Sequence, residues 1–376
     1  MKITNRELNK ISRSDDAHVY LNIAIRSDDD SSELTNAEYS TTFNKEFIER
    51  GLDYHLAVVR FRVPLTDVPY MIFKIEEGLG QTQVGLGIYE MTMRYFDPLI
   101  PGFVDFSRRV TYLPTDLSIS TPKPPSQNNG VQENSEWYYI YNVSRWIDLL
   151  NFTLQNIYND LKTAYPGATI NDPPFLELLD SGDKMEIFIP AVMQNSAQYQ
   201  LYFNQELSLF FDGLDFLTEK INDSLYGRFL FNALPQDSNA YTPYGVVPSL
   251  PPTFFYYKQN YNAFEKWGDL RAIVFKTSLL PIRYENTNVR NIRGEISDDN
   301  ILTDFNVAGF FGNRSDLTFF PQGPYRLVDI LSNNGVRSLD IQLFWRDKGG
   351  FLRQLFISPG EELTMKLAFI KKHLPN

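Results

Sequence analysis

The sequence of 376 residues predicts an all-β protein, a sandwich of antiparallel strands with long inserted loops and one or two short helices. Three features lead to this prediction. Several segments alternate apolar and polar residues with the period of two that a half-buried strand requires. Turn-forming residues separate neighbouring segments. Aromatic residues make up 15% of the chain, with 29 Phe and 22 Tyr, and aromatic side chains favour pleated sheets.

The first half of the chain contains three clear strand patterns. Val19–Ile25 and Tyr89–Tyr95 alternate apolar and polar residues, which predicts strands with one buried face. Tyr54–Val63 is almost continuously apolar in its middle, which predicts a central strand, and Arg60 and Arg62 share one face near its end. Shorter strands are predicted at Tyr70–Ile75, Trp137–Tyr141, Met185–Ile189, Tyr199–Phe203 and Ala272–Thr277.

One segment has the pattern of an amphipathic helix. Ser144 to Tyr165 carries an apolar stripe at spacings of three and four, and Ser144 is a suitable N-cap. Pro166 and Gly167 end the pattern. The stripe consists of Trp146, Leu150, Leu154, Ile157, Leu161 and Tyr165. A second, short helix is predicted near Gln205–Phe211.

The C-terminal third has the clearest strand patterns. Leu339–Trp345 alternates apolar and polar residues and is followed by Asp347–Gly350, which predicts a hairpin turn. Phe351–Ile357 forms the returning strand, and Leu363–Phe369 is a last alternating strand. In total, roughly twelve strands accompany two helices, a ratio typical of an antiparallel sandwich. Two long loops, at residues 113–134 and 235–252, separate these elements.

Charge and composition exclude several classes of function. The formal net charge is −11 and no block of Lys or Arg occurs, so direct binding of nucleic acid is disfavoured. The chain has no cysteine, which excludes disulfides, thiolate metal sites and a cysteine nucleophile. No signal-peptide pattern follows the polar N-terminus, and no apolar run approaches the roughly 18–20 residues that span a bilayer. We therefore expect a protein without a membrane span.

No candidate catalytic residue emerges from the sequence. The three histidines are His18, His55 and His373, and no Gly-x-Ser-x-Gly elbow accompanies them. Asp212 and Asp215 flank Gly213, but nothing fixes the separation that a pair of glycosidase carboxylates needs. We therefore expect no enzymatic activity.

Other local patterns do not predict a cofactor or a metal site. Gly78–Gly87 matches the spacing of neither the phosphate loop nor the dinucleotide fingerprint. Asp28–Asp30 offers oxygen ligands for calcium but lacks the glycine and terminal glutamate of an EF-hand loop, so calcium remains a minor alternative. Arg108, Arg109, Arg290 and Arg293 are scattered cations that do not form a stripe along nucleic acid.

Several segments resemble a known family. They are Gly323–Ile330 (GPYRLVDI), Ser338–Asp347 (SLDIQLFWRD), the strand from Pro359-Gly360 to Lys372, Tyr54–Leu65 (YHLAVVRFRVPL) and the helix near Trp146. Together they resemble the penton (minor capsid) proteins of virophages and polinton-like viruses. The resemblance implies a jelly roll that forms homopentamers at the vertices of an icosahedral shell, contacts a major capsid protein and is located in the virion after assembly inside the host cell.

Two other functions remain open at this point. The chain is long enough for a major capsid protein with a double jelly roll, whose long loops would form towers. A viral receptor-binding or lectin-like β-sandwich would instead use exposed aromatic rings to stack on sugars. For the domain organisation we expect one elaborated jelly-roll unit over residues 1–376, with an insertion domain around residues 113–260 as an option.

Subunit contacts are expected where aromatic residues lie in long loops. A monomer this rich in Tyr and Phe cannot bury every ring, and the Pro235–Tyr257 region is poor core material. Large rings contribute contact area at low entropic cost. The predicted contact residues are Tyr241, Tyr244, Phe254, Phe255, Tyr256 and Tyr257, although the same rings could also cap one end of the sandwich within a subunit.

Overall fold

The computed structural model describes the chain between residues 18 and 372 with several gaps. The described ranges are 18–27, 35–64, 68–75, 85–99, 101–113, 137–178, 184–194, 196–211, 213–221, 223–231, 254–259, 267–283, 300–307, 316–319 and 326–372. Grouping by contacts divides the protein into two compact units. Unit 1 contains residues 1–69, 127–129 and 269–376, and unit 2 contains residues 70–126 and 130–268.

Strands dominate both units, and every strand pairing among the described residues is antiparallel. The strands are, in chain order, β1 (Val19–Arg26), β2 (Thr35–Asn36), β3 (Glu38–Thr42), β4 (Tyr54–Pro64), β5 (Met71–Lys74), β6 (Leu86–Phe96), β7 (Phe103–Thr111), β8 (Trp137–Ile140), β9 (Phe175–Leu178), β10 (Met185–Pro190), β11 (Tyr199–Asn204), β12 (Phe216–Ile221), β13 (Ser224–Phe229), β14 (Phe254–Lys258), β15 (Leu270–Lys276), β16 (Ile301–Asn306), β17 (Asp316–Phe319), β18 (Val328–Asp329), β19 (Ser338–Asp347), β20 (Leu352–Gln354), β21 (Phe356–Ile357) and β22 (Glu362–Lys371). The helices are α1 (Val143–Ala164) and α2 (Gln205–Ser208). The all-β prediction is confirmed.

Unit 1 is a jelly roll. One of its sheets has the strand order β1-β22-β4-β17, and the other has β16-β15-β19 with β3 on the far side of β19. If these eight strands are numbered along the chain, the sheets have the orders 1-8-3-6 and 2-7-4-5, which is the double Greek key of a jelly roll. Unit 2 follows β4 and precedes β15, between the third and fourth of these strands.

The core of unit 1 consists of aromatic rings from both sheets. The ring of Phe61 on β4 lies 5.1 Å from that of Phe275 on β15 and 4.7 Å from that of Phe305 on β16. Phe319 on β17 stacks on Phe61 at 5.5 Å. Aromatic pairs at these separations contribute roughly 0.5–1.5 kcal/mol each beyond the burial of their surface. The high aromatic content therefore serves partly to join the two sheets of the jelly roll.

The described part of unit 2 contains three sheets and the long helix. The largest sheet has the order β12-β13-β11-β6-β7, and the smaller ones are β14-β10-β9 and β5-β8. Helix α1 packs against β7 and β9. Its Trp146 side chain is fully buried and contacts the rings of Phe73, Tyr89 and Phe210. The expected insertion domain around residues 113–260 stays a prediction, and unit 2 gives it the wider bounds of 70–268.

The predicted helix is confirmed, but its cap is a different residue. Asn142, not Ser144, has the extended backbone of an N-cap, and its Oδ1 accepts a hydrogen bond from the Arg145 N–H at 2.7 Å. Asn and Ser are about equally good caps, so the sequence alone does not separate two candidates lying two residues apart. The predicted apolar stripe is buried from Trp146 to Leu161.

The predicted turn between the last long strands is also present. The Asp347 N–H donates to the Phe351 carbonyl at 3.0 Å and closes the β19–β20 hairpin. Gly350 has φ 83°, a left-handed conformation that glycine adopts without steric cost. The Asp347 carboxylate accepts from the Phe351 N–H and forms a buried ion pair with Arg353 at 3.0 Å. This pair links the two strands of the hairpin and leaves neither buried charge without an opposite charge.

Candidate interaction surfaces

The predicted contact residues fall on strand β14 and outside the described residues. Tyr241 and Tyr244 lie outside the part of the chain that the structure describes. Phe254, Phe255, Tyr256 and Tyr257 form β14, an edge strand that pairs with β10. Their proposed role in subunit contact stays a prediction.

Three of the β14 side chains, those of Phe254, Tyr256 and Tyr257, contact partners within unit 2. Phe254 is only 5% exposed and contacts the ring of Phe175 at 5.3 Å. The Tyr257 hydroxyl donates to the Phe231 carbonyl at 2.9 Å, and burial raises the pKa of Tyr257 to about 12. Both side chains contribute to the fold of unit 2. Phe255 and Tyr256 are half-buried, and the ring of Tyr256 lies 5.7 Å from that of Phe188 within unit 2. Their partly exposed surfaces remain candidates for contact with another subunit.

The two edges of the sheet β14-β10-β9 differ. At β9, the Asn151 side chain on α1 donates to the Leu176 carbonyl at 2.8 Å and accepts from the Leu176 N–H at 2.7 Å. This amide imitates a neighbouring strand and protects the edge against further pairing. No described strand pairs with the outer edge of β14. An aromatic strand with such an edge suits addition of a strand from a partner.

A second candidate surface, which the sequence analysis missed, is the tip of the β6–β7 hairpin. We call it the apolar tip and define it by Phe96, Leu99 and Phe103. Leu99 is 90% exposed and Phe103 is 51% exposed, while the rings of Phe96 and Phe103 contact each other at 5.5 Å. The guanidinium of Arg94 lies 5.5 Å from the centre of the Phe103 ring. Large apolar side chains grouped at an exposed turn mark an interaction site.

The apolar tip is held in place by its own backbone. The Asp97 side chain accepts a hydrogen bond from the Leu99 N–H at 2.9 Å, which is an Asx-turn. Gly102 has φ 106°, a conformation that side-chain-bearing residues rarely adopt. Since the turn is organised before any partner binds, contact through it loses little conformational entropy.

The outer face of the large sheet in unit 2 consists of paired charges. Arg94 donates to both carboxylate oxygens of Asp105, at 2.7 and 2.9 Å. Arg228 pairs with Glu219 at 3.1 Å, and the Tyr202 hydroxyl donates to the same carboxylate at 3.1 Å. Burial and the neighbouring Glu219 raise the pKa of Tyr202. These carboxylates neutralise the charges of Arg94 and Arg228 within the subunit.

Of the four arginines considered above as scattered cations, Arg108 and Arg109 are also paired. Arg108 donates to both carboxylate oxygens of Asp160 on α1, at 2.5 and 2.8 Å, and this pair ties β7 to the helix. These hydrogen bonds lower the pKa of Asp160. Arg109 contacts Glu90 at 3.3 Å. Arg290 and Arg293 lie outside the described residues.

The histidine singled out within a strand belongs to an ionic cluster in unit 1. His55 Nδ1 lies 3.1 Å from Asp329 Oδ1, and Lys372 Nζ lies 2.7 Å from the same oxygen. The hydrogen bond from Lys372 is the main reason that the pKa of Asp329 is lowered. The cluster joins β4, β18 and the residue after β22, which indicates a structural role.

The remaining residues considered in the sequence analysis form no candidate metal site among the described residues. His373, Asp28–Asp30 and Asp212 lie outside the described residues, and His18 and Asp215 are exposed. Among the described residues, no group of three or more His, Cys, Asp or Glu side chains could hold a metal ion. No helix in the described parts of the chain is long and apolar enough to cross a membrane.

Comparisons with known proteins agree with this fold. The model of the family "Sputnik minor capsid protein V18/19" matches residues 19–371. Structural protein V19 of Sputnik virophage is 34% identical over 189 residues, which cover 46% of this chain and 82% of V19. Protein V18 of the same virophage is 27% identical over 166 residues, covering 43% of this chain and 91% of V18.

Two solved structures have the same fold. A chain in the cryo-EM structure of Sputnik virophage superposes with a TM-score of 0.74 at 25% identity, covering 95% of this chain and 98% of that one. The crystal structure of the mavirus penton protein superposes with a TM-score of 0.59 at 17% identity, covering 94% and 99%. The second likeness shows the fold alone.

Fold and comparisons together define a structural protein of a virus capsid. The chain belongs to the Sputnik minor capsid protein V18/19 family. The resemblance inferred from the strand and turn motifs is thereby confirmed, and the protein is a minor capsid subunit located in the virion.

Proposed function

We propose that this minor capsid protein is the penton, a homopentamer that occupies the fivefold vertices of an icosahedral shell and contacts a major capsid protein. The observation that carries the proposal is the jelly roll of unit 1 in a chain whose fold matches the mavirus penton protein. The proposal includes the absence of catalysis, since the relatives with a stated role are structural capsid proteins.

The subunit contacts are proposed at two places. The first is β14, through Phe255, Tyr256 and the edge that no described strand covers, and the second is the apolar tip. Both present large apolar side chains that need no rearrangement of the core to meet a partner. Such residues carry most of the free energy of association in protein interfaces.

Native mass spectrometry of the purified protein tests the oligomeric state. We expect a complex with five times the subunit mass of 43.6 kDa. A trimer would contradict the penton and favour a major capsid protein or a fibre head. A monomer that binds glycans would favour a receptor-binding sandwich.

Substitutions at the apolar tip test whether it takes part in assembly. We expect the double variant Leu99→Ser and Phe103→Ser to remain folded and to lose no more than about 2 kcal/mol of unfolding free energy, because Leu99 is 90% exposed and Phe103 loses its ring contact with Phe96 and its contact with Arg94. Incorporation of the variant into capsids, measured by quantitative mass spectrometry of purified virions, should fall at least about tenfold.

The matched control is Leu209→Ser, which changes a leucine that is 60% exposed elsewhere in unit 2. Incorporation of this control should equal that of the wild type. Unchanged incorporation of the tip variant would remove the apolar tip from the proposed contacts and leave β14.

A further inference from the structure

One exposed sheet face of unit 1 carries unusually placed positive charges. In the register between β22 and β4, Lys366 lies directly opposite Arg60, and Thr364 lies opposite Arg62. Side chains two residues apart on a strand point to the same side, so Arg60 and Arg62 share the face with Lys366. We call this surface the cationic face and define it by Arg60, Arg62 and Lys366. It lies opposite the buried side of the sheet, which Phe61 and Met365 occupy.

Folding does not explain this arrangement. Like charges directly opposite one another on neighbouring strands destabilise a sheet. Lys366 and Arg60 are such a pair, with Cβ atoms about 5 Å apart by strand geometry. A cost in stability that contacts within the subunit offset only in part is typical of residues placed for contact with something else.

The local partners compensate the face only in part. Arg62 is 45% exposed in its side chain and pairs with Asp316 at 2.9 Å. Lys366 lies 4.5 Å from the centre of the exposed Tyr20 ring. Arg60 is exposed and has no carboxylate partner among the described residues. The cationic face thus has a net positive charge that is exposed to solvent.

The rest of this face allows a chain to lie across it. Ala24 is exposed beside Thr364, and Thr318 is exposed beside Arg62. These small side chains flank the cations without forming a ridge. A segment in extended conformation could therefore approach the sheet between them.

The net charge differs between the two units, and this difference bears on where an anionic partner binds. Unit 2 contains 12 Lys and Arg against 22 Asp and Glu, a formal net charge of −10. Unit 1 contains 23 Lys and Arg against 24 Asp and Glu, a formal net charge of −1. The cationic face is thus part of the nearly neutral unit, where an anionic partner meets the least long-range repulsion.

We propose that the cationic face binds an extended acidic segment of a neighbouring capsid protein. On an extended segment, carboxylates at every second residue repeat at about 6.6–6.8 Å, which matches the spacing of Arg60 and Arg62 along β4. Arginine binds carboxylates through two parallel hydrogen bonds, so each aligned pair adds specificity as well as affinity. The inference rests on the proposed function, because only a subunit embedded in a shell has such neighbours.

Nucleic acid fits this surface less well. Proteins that bind it strongly neutralise about six to ten phosphates, whereas the cationic face offers three cations, one already paired with Asp316. A chain with a net charge of −11 also repels a polyanion as long as DNA more strongly than a short acidic segment. The charge complementarity therefore favours a protein segment.

Fluorescence anisotropy with a labelled peptide of alternating glutamate and threonine tests the proposal on the full-length protein. We expect binding that weakens as salt is added. The double variant Arg60→Gln and Lys366→Gln should bind the peptide at least about tenfold more weakly. The same variant should unfold at an equal or higher temperature, because the opposed like charges are removed.

The matched control is the double variant Lys45→Gln and Arg337→Gln, which removes two exposed cations of unit 1 from outside the cationic face. It makes the same change in net charge, and we expect less than a twofold change in peptide affinity. An equal loss of peptide affinity in the control would show that the effect comes from net charge alone, and this would overturn the proposal. So would a wild-type protein that does not bind the peptide, or one that binds single-stranded DNA more tightly. If peptide binding fails while native mass spectrometry shows the pentamer, only this inference is lost.

Discussion

A single buried carboxylate illustrates how individual residues fix the jelly roll. Asp340 on β19 is 2% exposed and accepts four hydrogen bonds. The donors are the hydroxyls of Thr277 and Ser278 and the N–H groups of Ser278 and Leu279, at 2.6–2.7 Å. Burial by itself raises the pKa of Asp340, but these hydrogen bonds outweigh it, so the pKa is lowered. The carboxylate thereby holds the chain that leaves β15 against β19.

Replacing this carboxylate should destabilise the protein. In Asp340→Asn, an NH₂ group faces donors in place of an acceptor, so we expect the free energy of unfolding to fall by about 2 kcal/mol or more. Denaturant unfolding measures this loss. The control Asp160→Asn removes an exposed ion pair with Arg108 and should cost no more than about 1 kcal/mol. Equal effects of the two substitutions would show that Asp340 has no special role.

The same group predicts a dependence on pH. Because its pKa is lower in the folded state, Asp340 stabilises the protein fully above the unfolded pKa of about 3.9. That stabilisation is lost as the pH falls through the lower folded pKa. The difference in unfolding free energy between wild type and Asp340→Asn should be constant above about pH 5 and shrink below about pH 4. A difference that grows on acidification would contradict this account.

At the scale of elements, helix α1 organises unit 2 through its buried stripe. Leu154 is completely buried, so Leu154→Ala should lower the free energy of unfolding by about 2–5 kcal/mol. Phe152 on the same helix is 51% exposed, and Phe152→Ala should change it by no more than about 0.5 kcal/mol. Thermal or denaturant unfolding of both variants decides. Comparable losses of unfolding free energy in the two variants would mean that the buried face of α1 is assigned wrongly.

Elements with strong local patterns could be predicted from the sequence. The period of two in β1, β6, β19 and β22 and the stripe of α1 follow from which side chains are buried, which a sequence displays directly. The strand order could not be predicted, because β1 pairs with β22 and thus joins Val19 to Phe369 across almost the whole chain. No local residue preference records such a pairing.

The candidate surfaces show the same limit. The aromatic residues of β14 were the basis for predicting a subunit contact there. In the structure, Phe254 and Tyr257 are held within unit 2. The sequence did not predict the apolar tip, because Phe96 and Phe103 resemble core residues at strand ends. Only the geometry of the hairpin shows that they are exposed. A signal was present in Asp97, Pro98 and Gly102, which are typical of a tight turn.

At the scale of the whole molecule, the acidic balance predicts how copies associate. With a formal charge of −11 per subunit, copies repel each other, so we expect apolar contacts to carry self-association and added salt to strengthen it. Sedimentation velocity across a salt series measures the oligomer fraction. Binding of an acidic segment to the cationic face should weaken over the same series. Added salt therefore has opposite effects on the two kinds of contact. Oligomers that dissociate as salt rises, or that persist unchanged without Phe255 and Tyr256, would contradict the role proposed for apolar contacts.

The central claim is that this minor capsid protein forms the vertices of the shell. A cryo-EM reconstruction of purified virions with icosahedral symmetry tests it most directly. We expect five copies of the chain around each fivefold axis, with the jelly roll of unit 1 fitting the density of each copy. Density at the fivefold axes that fits another protein, with this chain elsewhere in the shell, would contradict it.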